Sequence, residues 1–467
     1  MAQGTSRIRW HRPSLEAAES LSLREGIVAP PSAESDAVRQ MVLSVGIPLV
    51  EGAETAKEYA IGLLKLTAEV EHALMVQYLY AAFSLKDKRR VLAIAVQEMG
   101  HLTTIQNLLL LLGGRDAIYM QRDLIREGSE QNPIPFVLEP ISKVSLAKYV
   151  AAEKPATVPP DMEAKVAELV QLAEADAGVE THRVGIIFEL LKWVFLPPET
   201  EGEDIDFALL APLPEKPHLS DQDLQDHLQD VPMFEALAVE EWEVFDEDVI
   251  LPTVRTRAEA LDALDKIARQ GEGLSNGGPS HFTEFMAIVA SFEAGNISVK
   301  PVPKAPTLGA GPGQPILHPY SRLWCEVFNW QYNLLVLSIY HALITARPND
   351  GSEALRAGLT RTALFSMRQV IDPLAVLITS LPLNTDGGAG RAGPTFDLDA
   401  SILESNSEPD LVAQHIRMLD ALTSVYGAIE LSPDFTSFPA HANTLANLRN
   451  FDEERRNLFT PPPPPPN

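Results

Sequence analysis

The chain has almost no cysteine. Its single thiol, Cys325, excludes a disulfide framework, a cysteine zinc knuckle and an iron–sulfur cluster held by this chain alone. Long apolar runs are also missing. The most apolar stretch, LLLLLGG from Leu108 to Gly114, is far too short to cross a bilayer. The N-terminal MAQGTSRIRWHRPSLEAAES lacks the apolar core of a signal peptide. No block of Lys or Arg offsets the net charge of −27, so neither nucleic acid nor an anionic membrane is an expected partner. That charge speaks chiefly for a solvated surface. The expectation is a soluble protein of a reducing, cytoplasmic compartment. Alternating strand patterns are scarce and no repeat of solenoid length occurs. What the chain does have is a core: 45% of its 467 residues are hydrophobic, which excludes a wholly disordered protein.

The pattern predicts an all-α chain. Residues 1–53 read as an N-terminal arm with one short helix near Ser35–Val45. A bundle with long insertions follows over 54–298, then a Pro/Gly-rich linker over 299–316. A C-terminal helical subdomain covers 317–455, and 456–467 form a proline-rich tail. Thr55 with Glu58 has the form of a capping box and opens a long helix to about Leu85. Asp87 can cap the next helix, which stops at Gly113-Gly114. The segments 115–160 and 197–253 read as irregular excursions with short helices. The four bundle helices are expected at about 55–85, 87–112, 181–196 and 256–271. The hexaproline run Pro461–Pro466 is polyproline II, a disordered end or a ligand for an aromatic groove.

Buried-looking helices nevertheless carry ionisable groups. VEHALMVQYLYAAFSL (Val70–Leu85) contains Glu71, and VQEMGHL (Val96–Leu102) contains Glu98 and His101. Residues three or four apart share a helix face, so Glu98 and His101 point the same way. Glu189 lies in the nearly all-apolar VGIIFELLKWVF. A further helix ends in Glu272 and the next begins with His281. Carboxylates buried together cannot all ionise unless cations neutralise them. Four helices each supplying a Glu, two of them with a His, match the ligand set of a carboxylate-bridged dinuclear metal site. Four carboxylates carry four negative charges, which two divalent ions cancel. Oxygen-rich donors with imidazole favour iron, with manganese the alternative. An ExxH alone is weak, because helices produce it by chance as a surface ion pair.

Several of these stretches resemble a known family. EHALMVQYLYA is similar to the first-helix signature of ferritin-like proteins, and QEMGHL to their second-helix ExxH. Taken with RQGEG…SHFTEF and AGPTFDL, the chain resembles, over roughly residues 55–400, the ferritin-like family that includes the iminophenyl-pyruvate dimer synthases of bisindole biosynthesis. The resemblance implies a ferritin-like four-helix bundle holding two iron ions. It implies Glu71, Glu98, His101, Glu189, Glu272 and His281 as ligands, with Glu98 and Glu272 bridging and Glu71 and Glu189 terminal. One departure stands out. Glu272 and His281 are nine residues apart, on a continuous helix about 13 Å at ~1.5 Å per residue. Gly271 and Gly273 allow the helix to end there, and Pro279 or Ser280 to start a new one that presents His281. Glu284, on the same face as His281, is the substitute ligand, while His182 reads as a capping or solvent-facing residue.

The expected activity is that of a non-haem di-iron oxidase or oxygenase. Its partners would be O2 and a small organic, amino-acid-derived molecule, in secondary metabolism. Tyr78 and Trp193 are the candidate catalytic side chains, with Gln77 and Tyr80 near the ligands. Since Cys325 cannot hold a cluster, electrons come from the substrate or from a separate donor protein. The alternatives are an iron-handling or stress protein without turnover, and a scaffold whose helices only mediate assembly. Substrate identity and oligomeric state are not legible.

Overall fold

The computed structural model describes residues 9–11, 46–122, 136–178, 180–198, 213–214, 216–237, 241–242, 248–273, 279–311, 313–347 and 352–459. The helix expected near Ser35–Val45 and the hexaproline run lie outside them. Helices dominate the rest. The two strand pairs are minute: β1 (Arg9–His11) runs antiparallel to β2 (Ile47–Leu49), and β3 (Pro306–Thr307) parallel to β4 (Gln314–Pro315). No described helix is long and apolar enough to cross a membrane.

Helix α1 (Ala56–Phe83) begins at Thr55, whose hydroxyl accepts from the Glu58 amide while the Glu58 carboxylate accepts from the Thr55 amide. It is buried on every side from Leu66 to Phe83, as a helix without a polar face must be. The connection to α2 (Arg89–Gly113) is short, which forces the two antiparallel. Lys88 occupies the N-cap position of α2, and the Asp87 carboxylate just before it accepts from the Arg89 amide at 3.4 Å as well as from the Arg89 side chain. Gly114 ends α2 at φ 65°, a conformation glycine adopts without strain.

Four helices close a ring. α1 packs on α2 and on α5 (Gly185–Val194), and α6 (Arg257–Glu272) packs on both α2 and α5. These are the four bundle segments that the sequence indicates. Beside the ring stand α3 (Lys143–Glu153), α4 (Glu163–Ala177) and α7 (His281–Glu293), with α3 packed between the other two. Helix α6 ends at Glu272, and Ser280 starts α7 through a capping box with Thr283. His281 is therefore the first residue of a new helix rather than two and a half turns along an old one.

The C-terminal region centres on α8 (Pro319–Ile344), which packs on α9 (Ser352–Phe365) and α11 (Glu408–Leu431). After α9 the chain widens into a π-helical turn, Ser366–Ile371, and continues as α10 (Asp372–Ile378). Pro373, with no N–H to give, sits where the regular ladder would resume. Helix α12 (Pro439–Asn457) closes the region against α11. The 299–316 segment is no loose tether. The Lys300 amide donates to Ser84 O, the Ala305 amide to Leu138 O, and the Tyr80 hydroxyl to Pro303 O.

Candidate metal centre

Glu71, Glu98, His101 and His281 converge at the bundle's interior, each no more than 2% exposed. The i, i+3 spacing on α2 turns Glu98 and His101 to one face, and α1 brings Glu71 against them. His101 Nδ1 lies 2.9 Å from Glu98 Oε2 and 3.3 Å from Glu71 Oε2. His281 Nδ1 lies 3.0 Å from the other Glu98 oxygen, Oε1, and 3.8 Å from Glu153 Oε2. Two groups of potential ligand atoms result: Glu71, Glu98 and His101, and Glu98, Glu153 and His281, the atoms of each within 4.8 Å of one another. Glu98 belongs to both, with one oxygen toward each.

The outer nitrogens of the two imidazoles are matched. His101 Nε2 lies 2.9 Å from Gln270 Oε1, and His281 Nε2 lies 2.9 Å from Gln97 Oε1. Gln270 Nε2 donates to the Asp248 carbonyl at 2.6 Å, which fixes that amide's orientation. Each Nε2 thus carries a hydrogen, and each Nδ1 faces the carboxylates. Such outer hydrogen bonds orient metal-binding histidines and raise their basicity.

Charge at the cluster is strongly perturbed. Burial and the neighbouring Glu98 push the Glu71 carboxyl well above its ordinary value. Burial works against charging the imidazoles. The carboxylates outweigh it, raising His101 well above normal through Glu71 and Glu98, and His281 to about 9 through Glu98 and Glu153. Burial would raise Glu98 too, but His281 and His101 hold it far below the usual carboxylate range. The protein without metal therefore has a carboxylate clamped between two Nδ1 protons.

Three buried atoms still lack a hydrogen-bond partner in good geometry: Glu71 Oε2, Glu98 Oε1 and His281 Nδ1. Glu98 Oε1 and His281 Nδ1 lie 3.0 Å apart, and Glu71 Oε2 lies 3.3 Å from His101 Nδ1, so each has a ligand-capable neighbour without an aligned hydrogen bond. The surrounding cavity, about 20 Å³, holds a water-sized species and nothing larger. Carboxylate oxygens plus two imidazole nitrogens suit iron or manganese. The residues fit a bound cation of this kind.

Residues 64–290 match the Ferritin-like family model. The fold of this region is a ferritin-like, all-α bundle, and the ligand-capable side chains fall within the matched span. No curated protein matches the chain, and no solved structure does.

Within the ferritin-like bundle, several expected residues stand elsewhere. Glu189 is not in the cluster: its side chain is 37% exposed, and Arg183 Nη2 holds both its oxygens at 2.8 and 2.7 Å. The apolar letters around Glu189 are a poor guide, because Lys192 shares its helix face and both side chains are partly exposed. Glu272 lines the small cavity, but Arg183 Nη1 and the Gly185 amide each hold one of its oxygens at 2.7 Å. Burial pushes its carboxyl up to about 8 against the pull of Arg183. Glu284 pairs with Arg90 at the surface. His182 is buried and stacks on Trp10 at 4.4 Å, not solvent-facing.

Tyr78 does reach the site. Its hydroxyl donates to Glu153 Oε1 at 2.6 Å, and burial with the Glu153 charge pushes its own pKa well above the ordinary tyrosine value. Trp193 packs its ring on His218 and lines neither cavity described here. Gln77 accepts from the Val137 amide, a structural tie. The residue missed by sequence reading is Glu153. It closes α3, a helix buried from Ser145 to its end. A carboxylate ending KVSLAKYVAAE after the Ser142 cap was the available signal.

Proposed function

We propose that the chain is a non-haem di-iron oxidoreductase that uses O2 on a small organic molecule, with Glu71, Glu98, His101, Glu153 and His281 as ligands and Glu272 in reserve. The observation that carries the reading is Glu98, whose two oxygens face two separate His-containing groups. A carboxylate shared in this way is the hallmark of a bridged pair rather than of two unrelated sites. Bound iron would supply the O2 and electron chemistry that no side chain here can perform. The chain's own residues do the rest. Gln270 and Gln97 keep the Nε2 hydrogens in place, so that the Nδ1 lone pairs are the ones released for coordination. Tyr78 fixes the orientation of Glu153 through its O–H, and the mostly buried walls limit the access of bulk water. Cys325 is buried with its thiol raised above the ordinary range, so electrons come from the substrate or a separate donor.

The resemblance to the iminophenyl-pyruvate dimer synthases makes oxidative coupling of amino-acid-derived imines the finer form of this reading. A second reading, iron handling without turnover, draws support from the size of the ligand cavity, which admits no organic molecule in this conformation. Anaerobic Fe(II) loading with metal counting and Mössbauer spectroscopy, followed by O2 uptake with and without aromatic amino-acid-derived imines, separates them. Substrate-dependent O2 uptake is the expected result. Uptake that tracks iron alone would favour the second reading, and no retained iron would end both.

A further inference from the structure

Against α1 and α2, beside their ligand-bearing faces, lies a cavity of about 950 Å³, walled also by α8 and the π-helical turn. Its volume is at the upper end of the range for small-molecule sites. Four of the chain's ten methionines line it, Met75, Met99, Met120 and Met367. Methionine linings adapt to flat ligands and make favourable contacts with aromatic rings.

Three irregularities meet at this cavity. Trp242 is 4% exposed, yet its indole N–H meets no acceptor among the described residues, a deficit folding normally avoids. Phe396, fully buried, has φ of 50°, a left-handed conformation that is rare for a bulky residue and typical of clamps around ligands. Arg122 holds it there by donating to its carbonyl, and the Tyr332 ring meets it edge-on at 5.4 Å. Met367 and Ile371 line the cavity from the π-helical turn, a rare element that recurs at functional sites. Phe396 also belongs to AGPTFDL, a stretch the metal centre does not use.

We infer that this cavity binds a flat, largely apolar molecule of two or more rings that carries a hydrogen-bond acceptor, taken by the Trp242 N–H. An acyl chain would need only an aliphatic slot, whereas sulfur and aromatic faces favour a ring system. Met75 lies one turn from Glu71, and Met99 is next to Glu98, so the occupant sits beside the ligand-bearing faces. Calling it the substrate rests on the oxidase reading; calling the cavity a binding site does not.

The test uses a ketone-bearing naphthalene dye whose emission reports both polarity and hydrogen bonding to its carbonyl. It is titrated into full-length protein, both chelator-treated and iron-loaded. Saturable binding of one dye per chain in both forms is expected. Ile339→Trp and Met367→Trp fill the cavity from separate walls and should each weaken binding more than about tenfold, by overpacking. Circular dichroism selects whichever of the two is folded. Trp242→Phe keeps the ring and removes the donor, and should weaken binding about two- to tenfold with a blue shift of emission. Unchanged affinity in the filled variants overturns the site, and an unchanged Trp242→Phe titration overturns the acceptor assignment. Dye binding without iron retention supports the site while the oxidase reading fails. Iron retention without dye binding overturns it.

Discussion

Two buried polar clusters, one in the bundle and one among the C-terminal helices, are built on opposite principles. In the C-terminal region Asp452 is fully answered: Arg455 Nη1 pairs with it at 3.1 Å, Tyr426 donates to it at 2.6 Å, and Gln331 donates at 3.0 Å. Arg455 in turn donates to Gln331 Oε1 and the Ser366 hydroxyl. One anion meets one cation, most of the remaining capacity is spent on neutral groups, and only the cation's Nε is left without a partner among the described residues. In the bundle, Glu71, Glu98 and Glu153 face only two imidazoles, and three polar atoms stay unmatched. A closed network holds helices together; an open one asks for a ligand.

The comparison breaks most sharply at Glu98. Glu98→Ala should remove most bound iron, measured by metal counting after anaerobic loading, whereas Asp452→Ala should leave metal content alone. Full occupancy in Glu98→Ala would erase the distinction. Asp452→Ala should instead lower stability by about 3–5 kcal/mol, because Arg455 is left charged and unpaired in the interior; urea denaturation reads this.

The two regions should also answer pH differently. In the bundle, protons compete with metal: His281 without metal holds its Nδ1 proton up to about pH 9. Metal affinity should therefore rise as pH increases toward 9, about tenfold per unit for each proton displaced. Competition titrations at pH 6, 7 and 8 measure the slope, and a flat response would show that His281 is not a ligand. In the C-terminal region, burial lowers His341 to about 4. The folded chain keeps it neutral while the unfolded chain protonates near 6.5. Its stabilising contribution is whole above that value and is lost as pH falls from about 6.5 to 4, roughly 3 kcal/mol in all. His341→Phe should flatten this part of the thermal unfolding profile.

Smaller effects sharpen the border of the site. A Cβ on Gly185 would fall 2.1 Å from the Glu272 carboxyl carbon. Gly185→Ala should cost about 1–3 kcal/mol by overpacking, with Glu272 displaced. Glu189→Gln keeps an acceptor for Arg183 but removes one charge of a partly buried pair, so it should cost about 1 kcal/mol and leave iron content untouched. Loss of iron in Glu189→Gln would restore Glu189 as a ligand in place of Glu153.

Much of this was readable in advance. The capping box at Thr55, the Gly113-Gly114 stop and the i, i+3 pair on α2 are local signals, and local signals survive into structure. His281 was legible because the glycines and Ser280 dictate a helix break and a new start. Glu153 and Glu189 exchanged places for one reason: apolar density along the chain is not burial around a residue. Glu189 has apolar neighbours in sequence but sits on the polar stripe of α5. Glu153 ends a short helix buried between α4 and α7, the second of them far away in the chain. The cavity beneath α8 was invisible for the same reason, since its walls come from four separate stretches.

Arg183 acts as a resident counterion. Its guanidinium binds both Glu272 and Glu189, yet one positive charge answers only one of those two. With Glu71, Glu98 and Glu153 the group holds five carboxylates and one arginine, a net of four negative charges, which two divalent ions would cancel. An interior in which unbalanced charge is costly is thereby matched to a fixed amount of cationic charge. An arginine outside the cluster sets how much charge the centre can take.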